Sequence, residues 1–390
     1  MEALPIARLQ FATTTSFHFL FVLLTLGLVT LVAVMQTRYA LSGHPVHRRM
    51  TRFWGRLYVV NYALGIATGI VMEFQFGLNW SGLSTYAGDI FGAPLAIETL
   101  VAFFLESTFL GLWLFGWDRM GRWLHLTLIW LVTLTAYASA FWIMAANSFL
   151  QNPVGATEEN GVLRLTDFSA LLTNPTFVAA LPHVLSAALL TGGVFVVGIS
   201  AYHFLRRTEE VEFFLRSMRL GVVVTLLTAP VVFGFGTAQF PVIGDLQPDK
   251  LDGGAVGLPL GLMVMIGQFF VFASLIALPF LAKARIARAR PLLRLMVWGI
   301  PLPFVAAICG WLVRELGRQP WLVFGKLTTA DAMSDLSAGQ VLVSFIAFTA
   351  LFAALAVADW VLLSRLARRG PEPEVPSTPS ALSSPVLTGV

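Results

Sequence analysis

Nine times along this chain a stretch of about 20 mostly apolar residues occurs, the length a helix needs to cross the hydrocarbon core of a bilayer. The stretches are 11–36, 53–74, 94–115, 124–146, 180–204, 218–238, 259–282, 293–313 and 340–364. A soluble domain carries roughly twice the charged share found here, 12%. With 57% hydrophobic residues and a mean hydropathy of +0.78, too little polar sequence remains to coat a globule. The excess apolar surface must face lipid, where a backbone has to satisfy its own hydrogen bonds. Long apolar runs without two-residue alternation exclude an outer-membrane barrel. The expected fold is an all-α polytopic membrane bundle of about nine transmembrane helices over residues 1–369, without internal repeats. The tail, 370–390, is rich in Pro and Ser and is expected to be disordered.

The net charge of +4 does not mark a nucleic-acid-binding protein, because the cations are scattered among short loops. Those near residues 38–52, 119–122, 206–219, 283–294 and 365–369 fall on one side; only Arg8, Arg164, Lys250, Arg314, Arg318 and Lys326 fall on the other. The positive-inside rule makes the richer side cytoplasmic, with the N-terminus outside and the C-terminus inside. These loop cations set topology and need no further role. The N-terminus has no basic n-region and no small-residue cleavage site, so the first helix reads as retained. A single cysteine, Cys309, excludes an internal disulfide and reads as a packed side chain.

Ionisable groups at membrane depth are costly, which makes His18, Glu73, Glu98, Glu106, His183, Glu315 and Asp359 functional candidates. In the expected orientation His18, Glu98, His183, Met263 and Glu315, from five helices, fall in the outer half of the membrane, as for one shared site. Heme iron accepts imidazole, thioether sulfur and, less often, an anionic oxygen. A His–Met pair suits a six-coordinate heme, and a single ligand leaves the iron open to a gas. The 32 Phe and 11 Trp suit packing around porphyrins. Each group also has an ordinary reading. A lone helical histidine is more often packed or interfacial, methionine is a routine filler, and Met265 competes with Met263. His44 and His47 fall in a basic loop and are expected to be solvated. His125 and His203 lie near inner helix ends, outside the site. Asp359 and Glu73 can be hydrogen-bonding partners between helices.

Glu98 and Glu106 share one helix, about 12 Å apart along its axis and about 80° apart around it. A carboxyl group in low dielectric can carry a proton near neutral pH. The two therefore read equally as a proton path or as separate contacts to neighbouring helices.

Longer segments carry a resemblance. They are Ser16-Phe17-His18-Phe19-Leu20-Phe21, the run from Phe53 through Trp80, GDIFGAPLAIETLVAFFLESTF at Gly88–Phe109, and FWIMAANSFLQNP at Phe141–Pro153. GIPLPF at Gly299–Phe304 and Gly317-Arg318-Gln319-Pro320-Trp321 complete the set. Over about residues 5–370 the chain resembles subunit I of the cytochrome bd terminal oxidases. The resemblance implies a low-spin heme b, a high-spin heme b, and a heme d or third heme b. By position, His183 and Met263 match the axial ligands of the low-spin heme. His18 matches the ligand of one high-spin heme and Glu315 that of the other. Glu98 matches a carboxylate beside the oxygen-reducing heme and Glu106 one on the proton path. Asn147 and Ser107 match polar residues lining the proton or oxygen route. Arg318 would neutralise a heme propionate or support Glu315, and Trp311 would sit between hemes.

The implied activity is reduction of O2 to water with electrons from quinol, passed through three hemes, and protons from the cytoplasm. The implied setting is the bacterial cytoplasmic membrane, beside a subunit II and optionally a small single-helix subunit. Two departures concern the donor. The quinol loop between the sixth and seventh helices is shortened to about 239–258, keeping Gln247-Pro248 and Lys250-Leu251 of its motif. Ala255 stands where an acidic residue is expected, which removes a proton acceptor for quinol oxidation. Gly261 stands where an arginine is expected, two positions before Met263. A c-type cytochrome is therefore the alternative donor. A proton-coupled transporter without heme is the reading from another class.

Overall fold

The computed structural model describes residues 2–372, so the tail expected to be disordered lies, from 373 onward, outside the described residues. Among the described residues nine helices are long and apolar enough to cross a membrane. They are α1 Ala3–Ser42, α2 Pro45–Leu78, α3 Ser81–Phe115, α4 Arg122–Gln151, α5 Pro175–Leu205, α6 Val211–Leu246, α7 Gly254–Phe280, α8 Arg290–Leu316 and α9 Ala338–Arg369. Most outrun their apolar stretches, because the flanking turns carry polar and basic side chains long enough to reach headgroup depth.

The interior is built around α1, which packs on α2, α4, α5, α8 and α9. It meets α5 backbone to backbone: a Cβ on Gly192 would fall 2.9 Å from Gly27 Cα. Small residues permit such close helix contact where no hydrophobic force separates helices from lipid. Leu28, Val32 and Met35 of α1 then bury against Trp54, Leu57 and Tyr58 of α2.

Helix α3 departs from the straight helix assumed for Glu98 and Glu106. Its backbone kinks at Ala87, and Glu98–Phe103 winds as a π-helix. A π segment adds residues per turn, so the 80° offset does not apply.

The fold is not purely helical. A hairpin pairs β1 Ala156–Glu159 with β2 Val162–Leu165, and Asn160 and Gly161 both take positive φ, 52° and 76°. That is the backbone a two-residue primed turn requires. A smaller hairpin pairs β3 Trp321–Val323 with β4 Leu327–Thr328. Both lie at the end away from the Arg-rich loops, and Phe324 N–H donates to the Leu150 carbonyl at 3.0 Å.

At the Arg-rich end the loop cations do more than set topology. Arg48 and Arg52 both pair with Asp118, Arg49 with Glu210 and Arg56 with Glu372. His44 is exposed, but His47 is buried, bonded to Ser42 Oγ at 3.0 Å and to Arg216 at 3.0 Å. His125 bonds Gln36 and the Trp113 carbonyl, and His203 bonds the Ala367 carbonyl; both are structural. Cys309 is buried and unpaired.

Gly192→Val is expected to destabilise the fold by roughly 1–3 kcal/mol, because backbone faces the new side chain. The check is a lower melting temperature in detergent; an unchanged value would mean that α1 and α5 do not meet this closely.

Candidate functional site

Two cavities lie side by side between the helices. The first, with about 1670 Å³ of empty space, is walled by α5, α6, α7 and α8. The second, with about 2480 Å³, is walled by α1, α2, α3, α4 and the end of α8. The five groups expected to converge on one site are thus divided between two, because Phe19 and Trp311, with rings 6.0 Å apart, stand in the shared wall.

His183 and Met263 line the first cavity. His183 Nδ1 lies 2.9 Å from the Val232 carbonyl of α6, so Nδ1 carries the proton and Nε2 keeps its lone pair. Gly236 lets α6 pass the ring; a Cβ there would come within 3.1 Å of Cε1. Met263 reaches α8 where Gly310 leaves room, a Cβ there falling 2.8 Å from Sδ. Met265 is 61% exposed and lines neither cavity.

His18 lies on the second cavity, its Nδ1 2.9 Å from Thr68 Oγ. The Thr68 hydroxyl spends its proton on the Gly65 carbonyl at 2.7 Å. It therefore accepts from Nδ1–H, and Nε2 of His18 is again the open nitrogen. Gly69 sits against this ring, a Cβ there being 3.2 Å from Cε1.

Both oxygens of Glu315 are held: Asn147 Nδ2 donates to one at 3.0 Å and Arg318 Nη2 to the other at 2.5 Å. Asn147 in turn accepts from Arg314 Nε, and Arg314 Nη2 donates to Ser148 Oγ at 3.0 Å. Arg318 supports Glu315, while its Nε and Nη1, and Trp311 Nε1, are buried without a partner among the described residues. Glu98 accepts from Ser139 at 2.6 Å and from Thr99 at 3.2 Å. Glu106 is buried with one oxygen unpartnered. Both line the second cavity, whereas Ser107 does not; its Oγ is 3.5 Å from the Tyr62 hydroxyl. Glu73 accepts from Thr99 at 2.7 Å, the expected helix-to-helix bond. Asp359 has no such bond among the described residues, and its Oδ1 is buried.

Lys250, between α6 and α7, is buried on the first cavity, and its Nζ donates to Gln151 Oε1 at 3.0 Å. Burial, with Arg314 and Arg318 nearby, pushes its ammonium group down to about 7. Two imidazoles with an open Nε2, a thioether, a carboxylate, glycines beneath the His rings and unpartnered cationic donors together fit an iron macrocycle bearing anionic carboxylates.

Several of these residues were not foreseen. Arg314 was grouped with the loop cations, although it ends an apolar run beside Glu315. Thr68, Ser139 and Gln151 act across helix interfaces, for which a single sequence carries no signal.

The sequence family described as cytochrome bd terminal oxidase subunit I matches residues 6–253 and 258–371. The chain belongs to that family. It is a heme-containing terminal oxidase subunit, a multi-pass protein of the bacterial inner membrane. Among relatives in this family, cytochrome bd ubiquinol oxidase subunit 1 of Bacillus subtilis (strain 168) is 36% identical over 467 aligned positions, covering 100% of both chains. Cytochrome bd-II ubiquinol oxidase subunit 1 of Escherichia coli (strain K12) is 33% identical over 500 positions, covering 95% of this chain and 97% of that one. The solved bd oxidase of Geobacillus thermodenitrificans shares the fold, with a TM-score of 0.89 at 23% identity, over 95% of this chain and 99% of that chain.

Asn147→Leu leaves Glu315 and Arg314 each one partner short. It is expected to cost about 3 kcal/mol, read as a lower melting temperature of the purified protein. An unchanged temperature would mean that other groups hold Glu315.

Proposed function

We propose that this chain carries the redox centres of a quinol-fed oxygen reductase. In this reading His183 and Met263 would together hold a low-spin heme b. His18 and Glu315 are single ligands of two high-spin hemes, one of type b and the other d or b. The observation that carries the reading is shared by both histidines: each spends Nδ1 on a protein oxygen and lies on a cavity with Nε2 open. Bound there, heme supplies the electron transfer and O2 chemistry that side chains lack.

The chain's own residues supply position, charge and protons. Val232 and Thr68 fix the two imidazoles, a kind of support whose loss commonly costs 10–100-fold in metal affinity. Asn147 and Arg318 hold the Glu315 carboxylate with neither oxygen free to turn away. The unpartnered Arg318 Nε and Nη1 suit a propionate, and Trp311 separates the cavities. Glu106 and Glu98 line the second cavity, where Glu106 can take up a proton at its unpartnered oxygen and Glu98 can hold one beside the iron site. Ser107, with Tyr62, lies on the approach.

The reading places the Arg-rich loops in the cytoplasm with the N-terminus outside, supported by the sign of the loops. Residues 1–369 form one membrane unit with a cytoplasmic tail, beside a subunit II and optionally a small single-helix subunit. Quinol is favoured as donor by the relatives, two named as ubiquinol and one as menaquinol oxidase subunits. Lys250 and Gln247 of the quinol motif are anchored on Gln151. A c-type cytochrome is the second reading, favoured by Ala255, Gly261 and a connection of only 247–253 between α6 and α7.

Met263→Leu is expected to turn the low-spin heme signal toward high spin and Met265→Leu to leave it alone, in optical spectra of the reduced protein. The reverse would move the ligand to Met265. Glu106→Gln is expected to slow O2 reduction roughly 100-fold at unchanged heme content, assayed with quinol and separately with reduced cytochrome c. Full turnover in that variant would remove Glu106 from the proton path, and whichever donor sustains turnover in the native protein decides between the two.

A further inference from the structure

Three cations meet where α8 ends between the two cavities: Lys250, Arg314 and Arg318. The carboxylate among them, Glu315, is paired with Arg318. Among the described residues no ion pair includes Arg314. It is half-buried, and it lines the cavity that holds His183 and Met263. It is not free to swing away, because Asn147 and Ser148 of α4 take its Nε and one terminal nitrogen. Gly261, two residues before Met263, is exposed, with open space where a Cβ would stand, and contributes no charge.

We propose that Arg314 is the fixed positive charge that sets the redox potential of the His183–Met263 centre. A cation held in low dielectric acts strongly on a neighbouring charge. Reduction adds an electron to the iron, so a fixed cation on the wall favours the reduced form and raises the potential. A guanidinium suits the task, since it stays charged at any physiological pH, whereas burial pushes the Lys250 ammonium down to about 7. Arg314 touches no reacting atom; it is a positioning residue that acts through charge. The inference rests on the proposed assignment of a heme to His183 and Met263.

The experiment is a potentiometric titration of the purified oxidase complex, followed at the low-spin heme band, in the native protein and in Arg314→Gln and Arg314→Lys. Arg314→Gln is expected to shift the oxidised-to-reduced ratio at a fixed ambient potential roughly tenfold toward oxidised, about 59 mV for one electron. Arg314→Lys, which keeps the charge, is expected to hold the native midpoint. An intact low-spin band with an unchanged midpoint in Arg314→Gln overturns the proposal. Should Arg314→Gln fail to fold, Arg314→Lys decides: a native midpoint supports the proposal and a midpoint lowered by about 59 mV overturns it. An unaltered low-spin band in His183→Ala would instead overturn the heme assignment beneath it.

Discussion

A polar group inside a bilayer has no water to fall back on, and here that constraint is met at one knot. Arg318, Glu315, Asn147, Arg314 and Ser148 form an unbroken chain of charge-assisted and neutral hydrogen bonds joining α4 to α8. Each member satisfies its neighbour, and removing one strands the next, which makes such networks costly to break. The knot sits where the two cavities adjoin. One turn back along α8, Trp311 is carried into the shared wall.

The same economy orients the histidines. A carbonyl of α6 and a threonine of α2, each on a neighbouring helix, take the Nδ1 protons and leave Nε2 as the available donor atom. Glycines beneath the rings allow the helices close enough for those bonds to form. The arrangement follows from helix packing, with the chemistry added at positions the packing holds still. Charge is distributed to match. Lys250, Arg314 and Arg318 gather where the two cavities adjoin, and Glu73, Glu98, Glu106 and Glu315 line the second cavity.

Much of this was legible beforehand. Nine apolar stretches against a 12% charged share leave a helical membrane bundle as the remaining solution, and the nine helices fall on those stretches. His18, His183, Glu98, Glu106 and Glu315 were noticeable because charge and imidazole at membrane depth need a reason. What was not legible depends on relations between helices. The division into two cavities arises from Phe19 and Trp311 meeting across α1 and α8, and no periodicity reports that. The π segment at Glu98–Phe103 has no compositional mark and breaks the simple angular argument. Arg314 and His47 were read as loop charges because hydropathy windows end where polar residues begin, though helices and burial continue past that point. The hairpin at Asn160-Gly161 falls outside the all-helical expectation, which looked only for apolar stretches.

The central claim is that these two adjacent cavities, with the open nitrogens of His183 and His18, are where the hemes of this oxidase subunit sit. An experimental density map of the purified, fully assembled oxidase tests it most directly. The account predicts one planar macrocycle in the first cavity, held by His183 Nε2 and Met263 Sδ, and two in the second, one held by His18 Nε2 and the other by Glu315. Macrocycle density elsewhere in the subunit, or iron bonded to other side chains in a fully assembled complex, would contradict it.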